Sequence, residues 1–239
     1  MIHAHVRHGA AAVARVPRAS GRRWGAALLL AATAFAAHAQ NTIPNPQFDT
    51  ELAPWVTFAS SAPDPVGAGA APLWVATPDI TGNPASGSAQ VSLDGVAMAT
   101  NAASGIAQCV EFDSPALVNY VYYGMSFRIP PTMATDGSMS ATVEMRLFEN
   151  PDCSGFITGG SQGQVLGPVF AGDTTWYRLS DHGFNVPDAP ALAASAQIRG
   201  YLRRTGAAAT QAAYSLNVDH FVLVLNSSTP VGLMHFDVE

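Results

Sequence analysis

Three stretches of this chain place an apolar side chain at every second position, a spacing that dictates β-strands with one buried face. Across residues 120–129, Val121, Tyr123, Met125, Phe127 and Ile129 share one side, and Tyr120, Tyr122, Gly124, Ser126 and Arg128 share the other. Pro130-Pro131 ends the run, because proline has no N–H to give to a ladder. Across residues 140–148, Ala141, Val143, Met145 and Leu147 alternate with Thr142, Glu144, Arg146 and Phe148. Across residues 196–204, Ala196, Ile198, Gly200 and Leu202 face inward, and Gln197, Arg199, Tyr201 and Arg203 face outward.

Weaker strands are expected at 88–93, 105–112, 175–184 and 214–225, with a short one near 45–49. In 214–225 the alternation slips near Asp219-His220, which predicts a bulge. Gly, Pro, Ser, Thr, Asn and Asp punctuate the chain about every 8 to 15 residues, and helical periodicity is missing. Residues 62–72 and 188–194 read as loops, and 206–213 as an Ala-rich turn. About eight strands without helices predict an all-β protein, a two-sheet antiparallel sandwich or jelly roll.

That reading applies to residues 40–225. Ahead of them lie five arginines and no acid, then the apolar stretch GAALLLAATAFAA and the small-residue site Ala37-His38-Ala39. This is the layout of a secretory leader over 1–39. The apolar run of 13 residues is short of the roughly 20 that span a bilayer. Without the leader, six arginines face 17 acids, a formal charge near −11, and lysine is absent throughout. Such a balance excludes nucleic acid and anionic lipid heads as partners, since both need a positive footprint. It suits a soluble chain in the periplasm or outside the cell. Residues 226–239 read as a linker and tail.

Two cysteines, Cys109 and Cys153, pair as a disulfide in an oxidising compartment. Two buried thiols or a metal site are the alternatives, and the spacing matches no zinc pattern.

Catalytic signatures are scarce. Gly159-Gly160-Ser161-Gln162-Gly163 fits the G-x-S-x-G string, but the residues that follow cannot begin the helix a nucleophile elbow requires. His182, His220 and His235 stand in separate segments outside any metal-binding motif. Glu144 and Asp219 are the acids best placed on regular strands, should two carboxylates meet for glycoside hydrolysis. The expectation is a non-enzyme.

A set of short phrases, in order, carries a resemblance. The mature chain opens with Asn45-Pro46-Gln47-Phe48-Asp49 and Pro54-Trp55. It continues with Gly87-Ser88-Ala89-Gln90-Val91-Ser92-Leu93 and Ala107-Gln108-Cys109-Val110. It closes with Val218-Asp219-His220-Phe221-Val222. This order resembles the galactose-binding-like jelly rolls, above all carbohydrate-binding modules of the family 4, 9 and 22 type. Pro46 stands where those modules carry glycine, and His220 where they carry a second aspartate.

The resemblance implies two sites. One is a structural calcium with Asp49 and Asp219 as acidic ligands; the alternative is that Asp49 makes a turn bond and Asp219 binds local amides. The other is a glycan face on the concave sheet, made by Gln108, Glu144, Arg146, Gln197, Arg199 and Tyr201, with Trp55 at its rim. Sugar hydroxyls suit amide, carboxylate and guanidinium partners, and a sugar's apolar face suits an aromatic ring. A plain solvated sheet face with cross-strand ion pairs would show the same alternation. Trp74 and Trp176 are expected in the core. The implied function is a secreted, non-catalytic module that binds polysaccharide or cell-wall glycan. A structural or adhesive surface protein is the alternative, and a hydrolase with an unrecognised site is third.

Overall fold

The computed structural model describes residues 41–60, 71–94, 100–118, 120–157, 162–168, 175–182 and 191–225, with 162–168, 182 and 191 described by backbone alone. Every described residue lies within His38–Glu239, the second of the two units into which the chain divides. The leader, the tail 226–239, Ser161, His235 and most of the 62–72 loop fall outside the described residues.

Ten strands form: β1 Val56–Ser60, β2 Leu73–Val75, β3 Ser88–Asp94, β4 Ala103–Val118, β5 Val121–Arg128, β6 Met139–Phe148, β7 Gln162–Pro168, β8 Trp176–His182, β9 Ala191–Arg204 and β10 Ala213–Leu225. They build two five-stranded antiparallel sheets. The front sheet runs β1-β4-β9-β6-β7 and the back sheet β2-β3-β10-β5-β8. Among the described residues there is no helix. The protein is a β-sandwich, as the alternation requires.

The three period-two runs become β5, β6 and β9, and their inward sets meet between the sheets. Val143, Met145, Leu147, Ile198 and Leu202 come from the front sheet; Val121, Tyr123, Met125 and Phe127 come from the back, all buried. Gly200 occupies an inward position where a Cβ would fall 2.7 Å from Met125 Sδ and 2.8 Å from Phe221 Cε1. Its missing side chain lets the aromatic ring of β10 seat against β9. The bulge in β10 lies where the alternation slips: the register with β5 shifts between Asp219 and Val222, and His220 takes φ +49°.

Other elements differ from expectation. Residues 45–49 form a turn and not a strand. Asn45 and Phe48 have φ of +45° and +50°, Asn45 Oδ1 accepts from Asp49 N at 2.8 Å, and its Nδ2 donates to Glu51 O and Ala53 O. Local side-chain-to-backbone bonding outcompetes strand pairing there. Residues 191–194, read as loop, are the start of β9, paired to the far end of β4 beyond an irregularity at Glu111–Ala116. Strands β1, β2 and β7 have no counterpart in the sequence reading. They lie at the edges of their sheets, where one ladder side is open and burial does not enforce alternation.

Candidate functional site

Directly paired residues on neighbouring antiparallel strands point to the same face. Tyr201 pairs Gly105 on β4 and Thr142 on β6, Arg199 pairs Ala107 and Glu144, and Gln197 pairs Cys109 and Arg146. Glu144, Arg146, Gln197, Arg199 and Tyr201 therefore stand together on the outer face of the front sheet. Gly105 makes room for them: a Cβ there would fall 2.5 Å from the Cα of Tyr201.

These five form one network. Arg146 Nε donates to Glu144 Oε1 at 2.6 Å, and the Tyr201 hydroxyl donates to Oε2 at 2.9 Å. Arg199 Nη1 lies 3.5 Å from the same Oε2, and its Nε donates to Gln197 Oε1 at 2.7 Å. Two rings flank the charges. The Arg199 guanidinium sits 4.7 Å from the Phe58 ring centre, which is 5.0 Å from Tyr201, and Arg146 sits 5.3 Å from Phe156. Cation–π attraction of this kind strengthens as water is excluded. The Glu144 side chain is only 3% exposed, against 14% for Arg199 and 31% for Arg146, so solvent reaches the network chiefly through Arg146. Burial pulls Arg199 below the usual guanidinium range, opposed by the attraction of Glu144.

Two expected members are elsewhere. Gln108 pairs with Ile198, so it points inward, where it is buried with neither amide atom hydrogen-bonded. Its parity with Ile106 and Val110, both buried, is the sequence signal for this. Trp55 is not at a rim. It is buried in the core, 4.3 Å from the Phe221 ring and 5.5 Å from Phe48, with Nε1 donating to Asn45 O. Phe58 and Phe156 were missed: one lies on the unread strand β1, the other in the turn after β6.

The disulfide forms between Cys109 and Cys153, with Cα atoms 5.9 Å apart. It ties the turn after β6 to β4, across β9. Ser195 of β9 adds to the tie, its Oγ donating to Asn150 O at 2.6 Å and accepting from Cys153 N at 3.2 Å. This turn carries Phe156, so the bridge holds one wall of the network in place.

Asp49 and Asp219 differ sharply in setting. Asp49 is exposed, whereas Asp219 is fully buried on β10 and accepts from Ile80 N at 3.1 Å and His220 N at 2.6 Å. The carboxylate that faces Asp219 is Asp79, a residue sequence reasoning passed over. Burial, joined by that neighbour, pushes Asp219 up to about 7 against the pull of the two amides. Burial raises Asp79 as well, but hydrogen bonds from Thr81, Ser86 and the Asn83 amide outweigh it and hold Asp79 low. Calcium demands six or more oxygen ligands. Both Asp219 oxygens already accept from N–H donors, Asp49 is exposed, and no cluster of three or more His, Cys, Asp or Glu occurs among the described residues. The Asp49–Asp219 pair does not fit a calcium cage. The same placement separates Glu144 and Asp219 onto different sheets, so they are no acid–base pair.

The fold and this face define a disulfide-linked β-sandwich with a charged, aromatic-walled patch on one sheet. No protein-family profile matches the chain, and no curated protein sequence does. Solved structures similar to it include β-sandwich carbohydrate-binding modules. The CBM22-1 xylan-binding domain from Paenibacillus barcinonensis Xyn10C is 12% identical over 80% of this chain and 97% of its own, at a TM-score of 0.41. An apo-form cyclase from Fischerella sp. is 11% identical, covering 78% and 96%, at 0.48. The enzymatically active domain of tailspike protein 4 from bacteriophage CBA120 is 12% identical over 77% of this chain, at 0.46; the chain spans 21% of its length. Among the described residues no helix is long and apolar enough to cross a membrane.

Proposed function

We propose that this chain is a secreted, non-catalytic glycan-binding module that reads polysaccharide with the outer face of its front sheet. The observation that supports this most is the network of Glu144, Arg146, Gln197, Arg199 and Tyr201 walled by Phe58 and Phe156. Planar polar groups already locked to one another lose little rotamer freedom on binding, and the flanking rings offer an apolar surface to a sugar ring. The network contains one carboxylate, so it lacks the acid–base pair that glycoside hydrolysis uses. The leader over 1–39 would deliver the domain to an oxidising compartment, which the disulfide suits.

Retention of the protein on insoluble polysaccharides tests this reading. Arg199→Ala and Tyr201→Phe are expected to weaken retention sharply while the protein stays folded. A folded protein that no polysaccharide retains refutes it. The burial of Glu144 favours one other reading, a structural or adhesive surface protein in which the network only packs the face. On that reading Arg199→Ala lowers stability and changes no ligand binding.

A further inference from the structure

The outward face of the back sheet carries a buried polar layer that glycan binding on the front sheet does not use. Ser88, Ser126, Asn217 and Asp219 are buried there. The loop joining β2 to β3 is tied to this layer: Ser88 Oγ donates to Pro78 O at 2.6 Å, and Ile80 N donates to Asp219 at 3.1 Å. Within the loop, Asp79 accepts from Thr81 Oγ1 at 2.7 Å, Asn83 N at 2.8 Å and Ser86 Oγ at 2.8 Å. These bonds fix the loop beside the sheet.

Between the loop and the ends of β5 and β8 opens a cleft of about 490 Å³, lined in part by Asp79, Asn83, Pro84, Arg128 and Trp176. Arg128 and Trp176 are direct partners in the β5–β8 register, so both side chains stand on the face turned from the core. Trp176, expected in the core, is instead half-buried and faces this space.

We propose that this cleft is a second saccharide site, which takes a neutral sugar ring on the side of the sandwich opposite the Glu144 face. Four features argue for that ligand class. The indole of Trp176 is a flat apolar platform of the kind a pyranose covers. Arg128 carries N–H donors, and the Asn83 amide carries an N–H₂ and a carbonyl that also accepts from Ala85 N, which suits hydroxyl groups that accept and donate; Asp79 is held by its loop bonds and contributes its charge. The opposite charges of Arg128 and Asp79 offset each other, so neither an anion nor a cation is selected. The volume falls in the range of small-molecule clefts, and the internally bonded loop is preorganised. With one site on each sheet, a single domain bridges two polysaccharide strands, and avidity exceeds the affinity of either site.

The test is a ¹H–¹⁵N NMR titration of the purified protein with xylohexaose, cellohexaose and maltohexaose, and with trigalacturonate as a charged comparison. The indole N–H groups of Trp55 and Trp74 donate to Asn45 O and Phe48 O, so the Trp176 indole is the reporter that faces the cleft. The expected result is a saturable shift of the Trp176 indole signal with at least one neutral sugar. The shift persists in Arg199→Ala, and Asn83→Ala weakens it at least tenfold. Three results overturn the proposal: no neutral sugar moves the signal, only trigalacturonate moves it, or Arg199→Ala removes the shift. Retention unchanged by Arg199→Ala while the Trp176 response survives would count against the front site alone.

Discussion

Glu144 is the residue on which the front face turns, and its replacement by glutamine is the most informative perturbation. The carboxylate takes a hydrogen bond from Arg146 at 2.6 Å and one from Tyr201 at 2.9 Å, and Arg199 lies 3.5 Å away. Glutamine keeps the shape but removes the charge and turns an N–H₂ toward at least one of these donors. Removing one partner of a buried ion pair costs about 3–5 kcal/mol, because the charge left behind is poorly solvated. Arg146 is 31% exposed and water can serve it, which places the expected cost at the lower end, about 3 kcal/mol. For a domain of this size that lowers the melting temperature by about 6–12 °C. Thermal and urea unfolding followed by circular dichroism measure the change. A cycle with Arg199→Gln separates the pair from its surroundings: the double variant should lose at least about 1 kcal/mol less than the two single losses added together. A Glu144→Gln protein melting within about 2 °C of the parent, or strict additivity in the cycle, shows that the network is a solvated surface cluster and refutes the reasoning.

Three further outcomes follow from the geometry. Replacing Cys109 and Cys153 by serine opens a loop whose ends lie 44 residues apart, and the loss is about 4 kcal/mol in the chain-entropy picture, read as a lower urea midpoint; an unchanged midpoint refutes it. Gln108→Leu replaces a buried amide without partners by an apolar side chain of similar size and should stabilise the fold by about 1–3 kcal/mol, whereas a destabilised variant would reveal a hydrogen bond to the amide. Asp219, raised in the fold to about 7 from an ordinary 3.8, keeps a proton that the unfolded chain has released, so its contribution to stability falls as pH rises from about 4 to about 7 and is flat above. Asp219→Asn should abolish that slope, and parallel urea-midpoint profiles from pH 4 to 8 for variant and parent would contradict the assignment.

The central strands were legible because the interior enforces parity. On β5, β6 and β9 a one-residue slip would turn Met125, Val143 or Ile198 to solvent, so the sequence must alternate. The same parity gathers Glu144, Arg146, Gln197, Arg199 and Tyr201 onto one face, and ignoring it misplaces Gln108. Edge strands carry no such constraint. Four of the five residues of β1, Val56, Thr57, Ala59 and Ser60, are exposed, and with that strand unread Phe58 was invisible as a wall of the site. Trp55 could not be placed, because its packing against Phe48 and Phe221 depends on left-handed backbone at Asn45 and Phe48 that no alternation signals. Asp79 lies in a loop and meets Asp219 only through the tertiary fold, a proximity no local pattern encodes.

The bridge between Cys109 and Cys153 makes the front face sensitive to where the chain resides. In a reducing cytoplasm the thiols stay unpaired, and the turn bearing Phe156 is held only by hydrogen bonds and by its ring contacts with Phe148 and Arg146. Oxidation pins that turn to β4 and with it the ring beside Arg146. The shape of this face therefore follows the redox state of the chain's surroundings, and a reductant alone is enough to loosen it.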